Sequence, residues 1–108
     1  MQPTPTQVRP RRDNVLAALR SRETSLRASG IAALYMFGSA ARDEATPESD
    51  VDLFLDQASP ETFDLLDLLA ARERIAATLG NVEIDLATRG SLHPALREAI
   101  ERSAIRVF

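Results

Sequence analysis

Apolar and polar positions along this chain switch between two periods, and each switch marks an element. Val15, Leu16, Leu19 and Leu26 recur at helical spacing as far as Gly30, with Asp13 placed to cap the start, so one helix is predicted over 13–29. Ala32 to Phe37 is a short apolar run that reads as a buried strand, ending at Gly38-Ser39, where a turn leads into a short helix. Val51, Leu53 and Leu55 then alternate with Asp50, Asp52 and Phe54, the period of a strand with two different faces. Ser59-Pro60 carries a helix-start signal, with Ser as N-cap, Pro at the first position and Glu61 in the first turn. Leu65, Leu68, Leu69, Ile75 and Leu79 supply its apolar stripe, and Gly80 stops it. Val82, Ile84 and Leu86 alternate with Glu83 and Asp85 as a third strand. Pro94 opens a last helix with Leu96 and Ile100 facing inward, and Ile105–Phe108 is a candidate closing strand.

The order α-β-α-β-α-β-α, with a closing strand, gives an α/β (α+β) fold: a small mixed sheet packed with helices. Residues 1–12 read as a flexible N-terminal tail, because Pro3, Pro5 and Pro10 interrupt any regular pattern. One domain over 13–108 follows, with no internal repeat.

Composition narrows the function classes. At 108 residues the chain has room for one modest core, and 44% hydrophobic with 27% charged residues is ordinary for a globular domain. No apolar run approaches the ~20 residues that span a bilayer, and the N-terminal residues lack a signal-peptide core. Without cysteine there is no disulfide framework and no thiolate chemistry. A cytoplasmic location fits. The formal net charge of −3 disfavours general nucleic-acid binding, although Arg9, Arg11 and Arg12 cluster near the start.

The candidate chemistry lies between the first two strands. Aspartates at i and i+2 of a strand share a face, with Cα atoms roughly 6.5–7 Å apart. Asp50 and Asp52 therefore form an oxygen-only platform suited to Mg²⁺, which keeps waters and takes further ligands from substrate phosphates. Without a cation, each carboxylate would raise the pKa of the other. Gly38-Ser39 follows a strand and opens a helix, where the backbone can approach a phosphate and the Ser39 hydroxyl can donate to it. Asp85 shares a face with Glu83, and either could join Asp50 and Asp52 if the two strands are neighbours.

The stretch LYMFGSAARDEATPESDVDLFLD holds Gly-Ser, then ten residues, then Asp-x-Asp, with an apolar strand on each side. In this it resembles the DNA polymerase β-like nucleotidyltransferase superfamily, and specifically its small bacterial and archaeal branch, the minimal nucleotidyltransferase (MNT) proteins. The resemblance covers about residues 13–108 and implies that fold. It implies two Mg²⁺ ions on Asp50, Asp52 and the third carboxylate, which matches Asp85, and nucleotide binding by Gly38, Ser39 and Arg42. Where the family often reads Gly-Ser-Arg-Ala-Arg-Gly, this chain has Ala40 in place of the first Arg and Asp43 in place of the Gly. The expected costs are one lost phosphate cation at Ala40 and a left-handed backbone at Asp43, which Asp tolerates.

The resemblance further implies a partner. MNT proteins are commonly antitoxins paired with HEPN-type toxins, and some transfer AMP from ATP to a tyrosine of the toxin. The size of the domain agrees, leaving little surface for a substrate domain of its own. Two other readings stay open: a non-catalytic module that neutralises a partner by covering it, and a transferase with a small-molecule acceptor such as an aminoglycoside. A homo- or hetero-oligomer is compatible with each. His93 reads as a cap before Pro94, Tyr35 as core, and Arg72 and Arg74 as solvated surface. No base-recognition feature is legible.

Overall fold

β1 (Ile31–Phe37) and β2 (Val51–Gln57) pair antiparallel at the centre of a four-stranded sheet. β3 (Ile84–Thr88) lies parallel to β2 on one edge, and β4 (Ile105–Arg106) antiparallel to β1 on the other, giving the order β3-β2-β1-β4. This is a computed structural model that describes residues 11–46 and 48–108. The parallel pair needs a crossover, which α4 (Leu65–Thr78) supplies. α1 (Arg12–Arg20) and α2 (Glu23–Ala28) precede the sheet, α3 (Gly38–Ala41) joins β1 to the β2 approach, and α5 (Pro94–Ser103) precedes β4.

The two sheet faces differ. Val15, Leu16 and Leu19 of α1, Leu26 of α2, and Ala71 and Ile75 of α4 pack onto Leu34, Met36, Val51, Leu53, Leu55, Ile84 and Leu86. The strand alternation then sends Tyr35, Phe37, Asp52, Phe54, Asp56, Asp85 and Ala87 to the second face. Among the described residues no helix layer of comparable apolar packing covers that face, and it carries the candidate carboxylates Asp52 and Asp85.

Several expected elements move. The helix expected over 13–29 is two helices, because Ser21 turns its hydroxyl back onto the Ala18 carbonyl and the Arg22 N–H bonds Leu19 rather than continuing the ladder. Its N-cap is Arg11, without a side-chain cap, so Asp13 sits inside the first turn. Of the expected tail, residues 1–10 lie outside the described residues, and Arg12 already belongs to α1. Ser59 closes only a single turn, accepting from the N–H groups of Thr62 and Phe63. The helix begins five residues later, because Asp64 and Asp67 form a reciprocal capping box, with two backbone N–H bonds of 3.0 Å each.

That later start rotates the expected apolar stripe. Ala71 and Ile75 are buried, with Leu68 and Leu79 packed beside them, so Leu65 (67% exposed), Leu66 (74%) and Leu69 (45%) face away from the core. α5 departs further: none of its ten residues is buried, and Leu96, expected inside, is 56% exposed. His93 caps α5 as expected, its Nδ1 accepting from the Ala95 N–H at 3.1 Å. The third strand starts at Ile84 rather than Val82. The closing strand is confined to Ile105–Arg106, but Val107 and Phe108 continue beside β1 through backbone bonds to Leu34. Among the described residues no helix is long and apolar enough to cross a membrane.

Candidate active site

The register of the sheet assembles the site. Phe37, the last residue of β1, pairs with Asp52, so Gly38 turns away from the strand directly beside that carboxylate. Gly38 has φ +71°, the left-handed region that favours glycine, and a Cβ built on it would collide with Asp52 Oδ2 and lie 3.2 Å from Cγ. Only a residue without a Cβ lets the chain pass beside the carboxylate in this way. On the other side, Asp85 of β3 is the direct register partner of Asp52. Glu83 lies ahead of the strand, and its carboxylate is 3.8 Å from Arg72 of α4. Asp50 is exposed just before β2.

The electrostatics follow from that crowding. Burial raises the pKa of Asp52, and the charges of Asp85 and Asp50 raise it further, while Arg42 acts in the opposite direction. Asp50, Asp52, Asp85 and Arg42 therefore share one field. Among the described residues no group of three or more His, Cys, Asp or Glu side chains converges as a ready-made metal cage. A carboxylate whose proton is favoured by two neighbouring carboxylates is nevertheless the donor set that suits a hard cation drawing its other ligands from substrate and water. The residues present fit such an ion.

The Gly-Ser loop agrees with expectation at Asp43. Ala40 is fully buried against the core, so at this position the chain carries packing where a cation was expected to be missing. Asp43 adopts the left-handed conformation, φ 57°. Its Oδ1 also accepts the Arg12 backbone N–H at 3.1 Å, which ties the start of α1 to the loop. Ser39 is half-buried, its carbonyl accepting the Glu44 N–H at 2.8 Å, and exposed Arg42 lies 3.5 Å from the Glu44 carboxylate.

Beyond the carboxylates the second face carries an ion-pair network. Tyr35, expected in the core, is half-buried there and stacks on Phe54 with centroids 4.8 Å apart. Arg89 lies over both rings, at 4.9 and 5.0 Å. Its guanidinium donates twice to Asp56, at 2.7 and 3.0 Å, and once to Glu101 of α5, at 2.5 Å. Arg89 holds the Asp56 carboxyl below the ordinary aspartate range and is itself pushed up by that pairing. The sequence did contain a sign of this: an Asp four residues after Asp52 and an Arg four residues after Asp85 share the strand period.

Opposite pH responses follow from the two aspartates. With its folded pKa below the unfolded 3.8, Asp56 stabilises the protein above that value, and the contribution is lost as pH falls through the folded pKa. For Asp52 the folded pKa lies above 3.8, so stability declines as pH rises from 3.8 through it. In metal-free melts from about pH 3 to about pH 7, Asp56→Asn should flatten the acid limb. Asp52→Asn should melt at or slightly above wild type at neutral pH, and a clearly lower melting temperature would contradict this assignment.

A separate pocket of about 200 Å³, lined in part by Gly30, Ser59, Phe63 and Asp67, sits at the other end of β1 and β2, away from Asp50, Asp52 and Asp85.

Comparisons with known proteins show the family and the fold. Residues 14–107 match the family described as the nucleotidyltransferase domain. A candidate protein adenylyltransferase of Methanocaldococcus jannaschii is 33% identical over 79 residues, 73% of this chain and 82% of that one. A solved structure of a candidate minimal nucleotidyltransferase is 34% identical, with a TM-score of 0.68, covering 83% of this chain and 93% of that one. A chain from the complex of tri-AMPylated Shewanella oneidensis HEPN toxin with MNT antitoxin shares the fold at 18% identity and TM-score 0.60, covering 86% and 71%.

Proposed function

This chain belongs to the nucleotidyltransferase domain family, and on that premise we propose that it transfers AMP from ATP to a hydroxyl of a HEPN-type partner protein. The observation that carries the reading is the Asp52–Asp85 register pair, with the Gly38 backbone packed against the Asp52 carboxylate. Its acceptor class is supported by the adenylyltransferase relatives and by the AMPylated toxin complex, which concern those proteins.

In this scheme Gly38 and Ser39 hold the β- and γ-phosphates, the first through close backbone approach and the second through its hydroxyl, and Arg42 assists. Asp50, Asp52 and Asp85 are the residues that would hold the two Mg²⁺ ions. When bound, such ions neutralise charge on the phosphoryl and leaving oxygens and acidify the acceptor hydroxyl. The acceptor oxygen attacks the α-phosphorus, forming the new P–O bond as the bond to the β-phosphate oxygen breaks and pyrophosphate leaves. In this scheme Asp85, which is exposed on the edge strand, takes the acceptor proton.

The test is incubation with Mg²⁺ and α-labelled ATP, with and without the purified HEPN-type partner, read by autoradiography and intact mass. Label is expected on the partner with wild type and absent with Asp50→Ala. If none of the four nucleotides labels the partner while the two proteins co-purify, the chain acts by covering its partner instead.

A further inference from the structure

We propose that Arg89 is a positioning residue for the two central carboxylates: its ion pair with Asp56 locks the β2–β3 register in which Asp52 faces Asp85. The inference rests on the role given to Asp52 and Asp85 above. Each rung of this parallel ladder, from Val51–Ile84 to Leu55–Thr88, joins residues separated by 33 positions. Asp56, the next residue of β2, and Arg89, which opens the 3-10 turn just past β3, have the same separation of 33 and join side chain to side chain beyond the last rung.

β3 needs such a lock. It is a five-residue edge strand bonded to one neighbour, and parallel pairs are slightly weaker per residue than antiparallel ones. Slippage by one residue is opposed already, because it would turn Ile84 and Leu86 out of the core. The apolar face does not oppose slippage by two, which preserves it. Such slippage would set Glu83 or Ala87 opposite Asp52 in place of Asp85. The same slip would part Arg89 from Asp56 by roughly 6.5–7 Å along the strand, breaking both of their bonds. Arg72 staples the other end of the strand by donating from Nε to the Ile84 carbonyl at 3.0 Å. Apolar alternation thus sets which face Asp85 occupies, and the ion pair sets which residue it meets.

Arg89→Met keeps an apolar stem over Tyr35 and Phe54 while removing all three charged hydrogen bonds. Its kcat should fall roughly tenfold to a hundredfold, with KM for ATP within about twofold, because the Gly-Ser loop lies across β2 from β3. Amide exchange in β3 should accelerate at least about tenfold with β1 and α1 unchanged, and Arg89→Lys should recover part of both losses. Unchanged kcat and β3 exchange would overturn the proposal. So would uniform acceleration of all amides, which marks a general loss of stability. Exchange is read without turnover, so an inactive wild type would refute the transfer reading and leave the register claim to be decided by exchange alone.

Discussion

Asp52→Ala is expected to lower nucleotidyl transfer by about a thousandfold or more, while the metal-free protein melts at or above the wild-type temperature. Removing the central carboxylate forfeits several kcal/mol of transition-state charge stabilisation, and each ~1.4 kcal/mol is a factor of ten in rate. Stability moves the other way because the fold holds Asp52 against desolvation and the charges of Asp85 and Asp50. The substitution relieves all three. Mg²⁺ should raise the wild-type melting temperature and leave that of the variant nearly unchanged, since a ligand stabilises only the state that binds it. Scanning calorimetry with and without Mg²⁺, beside labelled-ATP assays, separates these effects. An active Asp52→Ala protein would remove Asp52 from the chemistry.

Gly38→Ala should be the most damaging substitution that adds a single methyl group. A left-handed conformation costs an L-residue about 1–2 kcal/mol, and here the methyl also runs into Asp52 Oδ2. The clash is relieved only by moving the strand end or the carboxylate, and misplacement by about 1 Å can cost a hundredfold in rate. Gly80→Ala is the control. Gly80 has φ +79° but nothing within 4 Å of an added Cβ, so it carries the backbone penalty alone. We expect both variants to lose several degrees in melting temperature and only Gly38→Ala to lose transfer. Equal activities would show that the approach of Gly38 to Asp52 is not needed.

The strands and their faces were legible because alternation is local: Val51, Leu53 and Leu55 identify themselves against Asp52 and Phe54 without reference to anything distant. Helix limits were less so, because local hydrogen bonds compete at the ends. The Asp64–Asp67 capping box outweighed the Ser59-Pro60 signal, and the Ser21 hydroxyl ended α1 within an apolar pattern that ran on to Leu26. The exposure of Leu65, Leu69 and Leu96 was hidden for a related reason: helical spacing shows that a stripe exists but not whether anything packs on it. Within the site, the spacing of Gly38-Ser39 from Asp50 and Asp52 was visible in the chain. The choice of Asp85 over Glu83 rested on resemblance, and the pairing of Asp85 with Asp52 joins strands too far apart in sequence for alternation to reveal. Arg89 and Asp56 were missed because their meaning depends on that register.

The exposure of α5 bears on how long the protein lasts. A ten-residue helix has little stability of its own in water, and this one buries none of its residues, resting on the Glu101–Arg89 bond and its flanks. Its opening should cost far less than unfolding the sheet. When opening is fast relative to cleavage, proteolysis follows the population of the open form. Degradation should therefore begin at α5, and the half-life of the chain should lengthen in proportion to how fully another surface covers that helix.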